Sequence, residues 1–155
     1  MIIRKLFKAE IAHRLTTAYT KRCLGLHGHS YKFEVLVHDN RLNVDEMVMD
    51  FKKLKEKLYN FLDGFDHALL ISDKDSFLVK HAKELNSRYM IVPYNPTAEM
   101  MAVHIFLYAK SIGLNICEVI VHETDSGYAS YKGEDGIKMD LTKVVFSEEL
   151  CKAIS

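Results

Sequence analysis

The segment "RCLGLHGHSYKFEVLV", residues 22–37, combines one cysteine, two histidines and an alternating apolar pattern. Every second residue from Tyr31 to Val37 is aromatic or β-branched, and this period of two predicts a half-buried β-strand. Side chains two residues apart on a strand share a face, so His27 and His29 point to the same side. Two imidazoles at the entrance to this strand indicate a metal site.

A third histidine could complete that site. His13 lies near the end of a first predicted strand, residues 3–11, and a return of the chain through 14–26 would bring it beside His27 and His29. Three imidazoles suit Zn²⁺ and leave a fourth coordination position open for a substrate, as in catalytic zinc sites. Short His-x-His strings also arise often by chance, and a surface pair without an ion is the alternative interpretation.

Cys23 has three possible roles next to such a site. As a fourth zinc ligand it would close the site and make it structural. As a base or nucleophile it would be activated by the nearby cation. As a small buried residue it would have no chemical role. The cysteines of the chain are odd in number and irregularly spaced, which argues against a disulfide framework and for a reducing compartment: Cys23, Cys117 and Cys151.

Two further positions could take part in chemistry. Asp66 precedes His67 just after Gly64, and in a turn the carboxylate could orient the imidazole toward a cleft. The alternative is a helix-capping aspartate beside an incidental histidine. Glu123 ends a strand predicted over 116–124 and could accept paired N–H donors from a guanidine-like ligand edge, although most such glutamates are simply solvated.

The remaining patterns predict an α+β domain whose antiparallel sheet is covered on one face by two helices. The first helix has Asp50 as N-cap and stops at Gly64. The second covers 95–113, with Asn95 as N-cap, and is apolar almost all round, which suggests contact with another subunit. Further strands are predicted over residues 88–92 and 141–147.

Composition limits the class of protein. A chain of 155 residues fits one domain, residues 1–155. Lys plus Arg (21) balances Asp plus Glu (21), so no net field favours nucleic acid or an anionic membrane. Basic residues interrupt the apolar N-terminal segment, and no apolar run approaches the ~20 residues of a membrane span. We expect a cytoplasmic protein without nucleic-acid or membrane partners.

Six short motifs occur in the order found in the 6-pyruvoyltetrahydropterin synthase family, which the chain resembles from about Phe7 to Tyr131. They are "AHRL" (12–15), "CLGLHGHSY" (23–31), "VMDF" (48–51), "DHALL" (66–70), "PTAEMMA" (96–102) and "ET" (123–124). The resemblance implies the tunnelling fold (T-fold), with a four-stranded antiparallel sheet and two helices on one face. It also implies a homohexamer, a dimer of trimers, with active sites at subunit interfaces.

The residues that match the family's motifs imply a zinc site, a proton-transfer set and a pterin-binding pair. The zinc ligands are His13, His27 and His29, the proton-transfer set is Cys23, Asp66 and His67, and the pterin is bound by Glu123 and Thr97.

The spacing Cys-x3-His-Gly-His is similar to that of the bacterial branch that makes 6-carboxy-5,6,7,8-tetrahydropterin for queuosine. The branch that makes biopterin has a longer spacer, and the branch that feeds folate synthesis has glutamate in place of Cys23. This implies a zinc-dependent lyase that acts on 7,8-dihydroneopterin triphosphate and releases triphosphate and acetaldehyde. The alternatives are an enzyme with a 6-pyruvoyl end product and a non-catalytic zinc-stabilised module.

Overall fold

Two long antiparallel strands form the centre of the sheet in the computed structural model, which describes residues 1–134 and 136–154. Strand β1 (Ile2–His13) pairs with β2 (His27–His38) along its whole length, so that Ile2 faces His38 and His13 faces His27. Alternate residues of β2 are buried, as the period of two predicts. A short helix, α1 (Lys21–Leu24), lies in the connection between them.

Five more strands extend this pair into a sheet with the order β6-β5-β2-β1-β3-β4-β7 over the described residues. They are β3 (Ala68–Ser72), β4 (Tyr89–Val92), β5 (Ile116–His122), β6 (Tyr128–Tyr131) and β7 (Val145–Phe146). The α+β class is confirmed, but the prediction of a four-stranded antiparallel sheet is wrong. The sheet has seven strands and is mixed, because β3 runs parallel to both β1 and β4.

The missed strands lack a readable pattern. All five residues of β3 are buried, because both faces of this parallel strand are covered, and such a strand gives no alternation. Strand β6 contains four residues, too few for a period to be seen. The predicted strand 141–147 divides into a 3₁₀ turn, Leu141–Lys143, and the short β7.

Helices cover both faces of the sheet. Helices α2 (Phe51–Asp63) and α4 (Ala98–Ser111) share one core cluster with the buried residues of β1, β2 and β5. Helix α3 (Ser76–Leu85) packs against Leu69 and Ile71 on the opposite face, so the prediction of helices on one face only is wrong. This difference follows from the crossover that parallel strands require between β3 and β4.

A fifth helix, α5 (Glu148–Ile154), follows β7 and buries Leu150. None of the helices within residues 1–134 and 136–154 has the length and apolar character needed to cross a membrane.

The two predicted helix starts differ in outcome. Asp50 caps α2 as predicted, accepting hydrogen bonds from the amides of Lys52 (2.6 Å) and Lys53 (3.3 Å). Helix α4 begins later than predicted, with Thr97 rather than Asn95 as its N-cap. The Asn95 side chain instead accepts a hydrogen bond from the amide of Thr16 (2.9 Å), which ties the loop after β1 to the start of α4.

Helix α4 is apolar all round because it is buried within its own chain. Tyr108 stacks on Phe61 of α2 with ring centroids 3.7 Å apart, and Phe106 meets Tyr131 of β6 at 5.1 Å. The helix therefore lies between α2 and the β5–β6 edge of the sheet. Its apolar surface is explained without a second subunit.

His104 is the polar residue at the centre of this packing. Its Nδ1 forms a hydrogen bond with the Tyr94 hydroxyl (2.8 Å), and the ring centroids of Phe61 and Phe65 lie 5.3 and 5.9 Å from that of His104. Burial lowers the pKa of His104 to about 4. The imidazole is therefore neutral in the folded protein at pH 7.

This buried imidazole predicts a loss of stability in acid. The unfolded chain protonates His104 near pH 6.5 and the folded chain only near pH 4, so the free energy of unfolding falls as pH drops through this window. Between pH 7 and pH 5 we expect His104 to lower the free energy of unfolding by about 2 kcal/mol, and this contribution is absent from His104→Gln. Urea unfolding of the metal-free protein at both pH values measures the free energy of unfolding.

The control is His81→Gln, at a partly exposed position on α3, which must keep the wild-type pH dependence. An equal acid loss in His104→Gln would contradict the prediction.

Candidate active site

Three histidines converge where β1 ends and β2 begins. His13 faces His27 across the ladder, with ring centroids 4.6 Å apart, and His29 follows on the same face, 5.0 Å from His27. One nitrogen of each ring lies within 4.8 Å of those of the other two. The structure thus brings together the three histidines predicted from the sequence, and these can hold a metal ion.

Hydrogen bonds to the main chain set the tautomer of two of these rings. The Nδ1 of His13 lies 2.8 Å from the Pro96 carbonyl and the Nδ1 of His27 lies 2.7 Å from the Gly25 carbonyl. A carbonyl only accepts, so each Nδ1 carries the proton and each Nε2 keeps its lone pair for a metal. Burial lowers the pKa of His13, which keeps this ring neutral, as a ligand must be. The donor set fits a zinc-type ion.

Cys23 lies beside the histidines. A cavity of about 350 Å³ is lined by Cys23 together with His13, His27, Thr97 and Glu123. The Cys23 sulfur is not among the donor atoms that lie within 4.8 Å of one another in the described part of the chain. This placement suits a group that acts on a molecule in the cavity better than a fourth ligand that closes the metal site.

Glu123 faces the histidines from the loop after β5. Its Oε1 lies 3.6 Å from the Nε2 of His13 and 3.8 Å from the Nε2 of His29. The same oxygen accepts a hydrogen bond from the Tyr31 hydroxyl at 3.0 Å. The carboxylate is therefore held at the edge of the metal site, where it can accept N–H donors from a bound molecule.

Tyr31 is a site residue that sequence analysis missed. It is fully buried, and its hydroxyl lies between Glu123 and the Nε2 of His13, 3.3 Å from the latter. Burial, together with the charge of Glu123, raises the pKa of Tyr31, so the hydroxyl stays protonated and donates. The available signal was its position two residues after His29, on the same strand face.

Thr97 joins helix α4 to this cavity. Its hydroxyl oxygen accepts from the amide of Met100 (3.3 Å) and so caps the helix, while the residue also lines the cavity. Because the preceding residue, Pro96, accepts from His13, the start of α4 and the metal site are fixed to each other.

Asp66 and His67 lie elsewhere, in the turn between α2 and β3. The Asp66 carboxylate accepts from the amide of Glu10 (2.8 Å), so it secures the turn to β1 and does not cap a helix. The His67 side chain is 75% exposed and lines a separate groove of about 380 Å³ with Glu10, His29 and Asn86. Within one chain, neither Asp66 nor His67 lines the cavity that contains Cys23.

A family model described as 6-pyruvoyl tetrahydropterin synthase matches residues 2–134. The chain belongs to this family. The 6-carboxy-5,6,7,8-tetrahydropterin synthase of Helicobacter pylori (strain J99) is 32% identical over 146 residues, which cover 83% of this chain and 71% of that protein. The enzyme of the same name from Aquifex aeolicus is 30% identical over an alignment of 159 residues, which covers 85% of this chain and 98% of that protein.

The solved structures agree with this assignment. The 6-pyruvoyl tetrahydropterin synthase of Caenorhabditis elegans superposes with a TM-score of 0.67 at 25% identity, over 86% of this chain and 96% of that one. The T-fold expected from the family resemblance is therefore confirmed, although the sheet has seven strands over the described residues and not four. The chain is an enzyme of the tetrahydropterin synthase type, which acts on pterins.

The three-histidine site predicts a defined change in metal binding. His27→Ala removes one of three ligands and should weaken Zn²⁺ binding at least about 100-fold, because second-shell changes alone cost 10–100-fold. Titration against a chromophoric chelator measures the affinity. His81→Ala, a histidine outside the donor set, is the matched control and must bind as the wild type does. Equal affinity in both variants would contradict the assignment.

Proposed function

We propose that this enzyme converts 7,8-dihydroneopterin triphosphate and water to 6-carboxy-5,6,7,8-tetrahydropterin, with release of triphosphate and acetaldehyde. The observation that carries the proposal is the cavity in which a thiol and a carboxylate meet His13 and His27, two members of the metal-competent histidine set. The names of the relatives from Helicobacter pylori and Aquifex aeolicus support the 6-carboxy product. In this proposal the product supplies queuosine biosynthesis and the enzyme works in the cytoplasm.

The metal in this proposal is Zn²⁺, held by His13, His27 and His29. When bound, it supplies Lewis-acid polarisation of substrate oxygens, which acidifies the neighbouring C–H bonds. The hydrogen bonds that His13 and His27 make to main-chain carbonyls hold their rings in place for this role.

The residues around the metal site bind the pterin and move its protons. Glu123, held by Tyr31, accepts the 2-amino and ring N–H groups, and Thr97 lies at the same cavity wall. The Cys23 thiolate removes a proton from the side-chain carbon of the substrate, and His67 with Asp66 supplies the complementary proton. Two separate titrating groups are required because the reaction both removes and returns protons at carbon.

The position of His67 bears directly on assembly. His67 and Cys23 line different cavities of one chain, and the His67 side chain projects into solvent. We infer that, for both residues to act on one substrate, His67 comes from a neighbouring subunit. We therefore propose a homohexamer, built as a dimer of trimers, whose active sites lie at subunit interfaces.

A 6-pyruvoyl end product is the second candidate, favoured by the solved Caenorhabditis elegans enzyme. The non-catalytic zinc module has less support, because the Cys23 sulfur is outside the donor set of the described residues.

Product analysis with a Cys23 variant tests the reaction. Zinc-loaded protein is incubated with 7,8-dihydroneopterin triphosphate, and the pterins are identified by mass spectrometry. We expect a 6-carboxy product with acetaldehyde, and Cys23→Ala should retain zinc while losing at least about 100-fold in turnover, the scale of acid–base catalysis. Cys117→Ala, a second partly buried cysteine, is the matched control with wild-type turnover. Accumulation of a 6-pyruvoyl product would favour the second candidate, and loss of zinc from Cys23→Ala would favour the structural role.

Mixing two inactive variants tests the shared site. In a 1:1 assembly of Cys23→Ala and His67→Ala subunits, about one quarter of the interfacial sites combine an intact thiol with an intact imidazole. We expect activity to return to about a quarter of the wild-type level after co-expression with two affinity tags. If both residues act within one subunit, the mixture stays inactive.

A further inference from the structure

The turn that carries Asp66 and His67 is held in an uncommon backbone conformation. His67 has φ 52°, in the left-handed region that residues other than glycine rarely occupy. Its side chain is 75% exposed, so it receives little support from packing in its own chain. The orientation of this imidazole must therefore be set by whatever holds the main chain of the turn.

Strand β1 holds one side of the turn. The amide of His67 donates to the Glu10 carbonyl at 2.8 Å, and the amide of Glu10 donates to the Asp66 carboxylate at 2.8 Å. These two bonds fix the turn to β1, and the amide of Asp66 donates to the Asp63 carbonyl at 2.9 Å within the turn.

The carbonyl groups are bound from the other side by two residues that precede β4. The Arg88 guanidinium donates to the carbonyls of Asp63 (2.6 Å) and Asp66 (3.0 Å). The Asn86 amide donates to the carbonyl of His67 at 3.1 Å. Carbonyls at the C-terminal end of a helix have no partner within the helix and attract a cation, and Asp63 is the last residue of α2.

The geometry of arginine suits this position. Its planar guanidinium reaches two carbonyls at fixed angles, whereas the single ammonium of lysine cannot reproduce that fork. The Arg88 side chain is 21% exposed, so it is largely ordered by these contacts. Its third nitrogen faces Glu149 of α5 at 3.4 Å, which connects the turn to a helix beyond the residues 2–134 that the family model matches.

We propose that Arg88 is a positioning residue for the reaction, acting through the main chain of the Asp66–His67 turn. This role of Arg88 rests on the proposed function, in which His67 reaches the cavity of a neighbouring subunit. An exposed imidazole can meet a site on another chain reproducibly only if its own backbone is rigid, and Arg88 supplies that rigidity. Asn86 assists at the third carbonyl.

Steady-state kinetics of the zinc-loaded, assembled enzyme gives the first test. Arg88→Gln should lower kcat about 10–100-fold, the effect of a misplaced group, with KM and zinc content unchanged because Cys23, Glu123 and the three histidines are untouched. Arg88→Lys, which keeps the charge, should recover part of the loss. Arg4→Gln, an exposed arginine paired with Glu34, is the matched control and must retain wild-type kcat. Wild-type kcat in Arg88→Gln would overturn the inference.

Subunit mixing separates positioning of His67 from general damage. Arg88→Gln mixed with Cys23→Ala should regain about a quarter of wild-type activity, since intact thiols and intact turns then come from different subunits. Arg88→Gln mixed with His67→Ala should regain nothing beyond the Arg88→Gln protein alone. The reverse pattern would mean that Arg88 acts on the cavity of its own chain and would overturn the inference.

If the wild-type protein does not turn over 7,8-dihydroneopterin triphosphate, the proposed function fails and hydrogen exchange decides the role of Arg88. Arg88→Gln must then speed amide exchange at His67 and Ala68 while leaving exchange in β2 unchanged. Unchanged exchange at the turn would overturn the positioning role.

Discussion

The register between β1 and β2 is the constraint on which the site depends. Pairing along both strands sets His13 opposite His27, and the same register directs His29 and Tyr31 to the face covered by α2 and α4. A slip of one residue would turn every side chain of β2 to the other face and separate the histidines. Alternate residues of β2 are buried, and a slip would expose residues such as Phe33, so burial of this face prevents the slip. The core thus fixes the metal site as well as the fold.

Burial then turns three histidines into a usable donor set. His13 is almost fully buried, so it is neutral, and the Pro96 carbonyl keeps its free lone pair on Nε2. Tyr31, equally buried, keeps its hydroxyl proton and donates it to Glu123. Metal site and carboxylate are therefore connected by one buried hydroxyl rather than by flexible surface groups. Such rigid support is what a preorganised binding site requires.

The parallel strands β3 and β4 divide the candidate catalytic groups between two places. By pairing on the far side of β1, β3 carries the Asp66–His67 turn away from the cavity of Cys23. In the proposed oligomer, a neighbouring subunit would bring this turn to the cavity of Cys23. In the proposed positioning role, the donors of Asn86 and Arg88 that converge on the turn set the orientation of His67.

The sequence by itself determined the features that depend on residues close together within one strand, one helix or one motif. The period of two placed His27 and His29 on one face, Asp50 marked the start of α2, and the ordered motifs pointed to the family. Only the tertiary structure decided the number and direction of the strands, because β3, buried on both faces, carries no alternation. It alone also revealed Tyr31, the late start of α4 and the separation of His67 from Cys23. These depend on distances between residues far apart in the chain, which are set by strand register and packing and leave no periodic trace in the sequence.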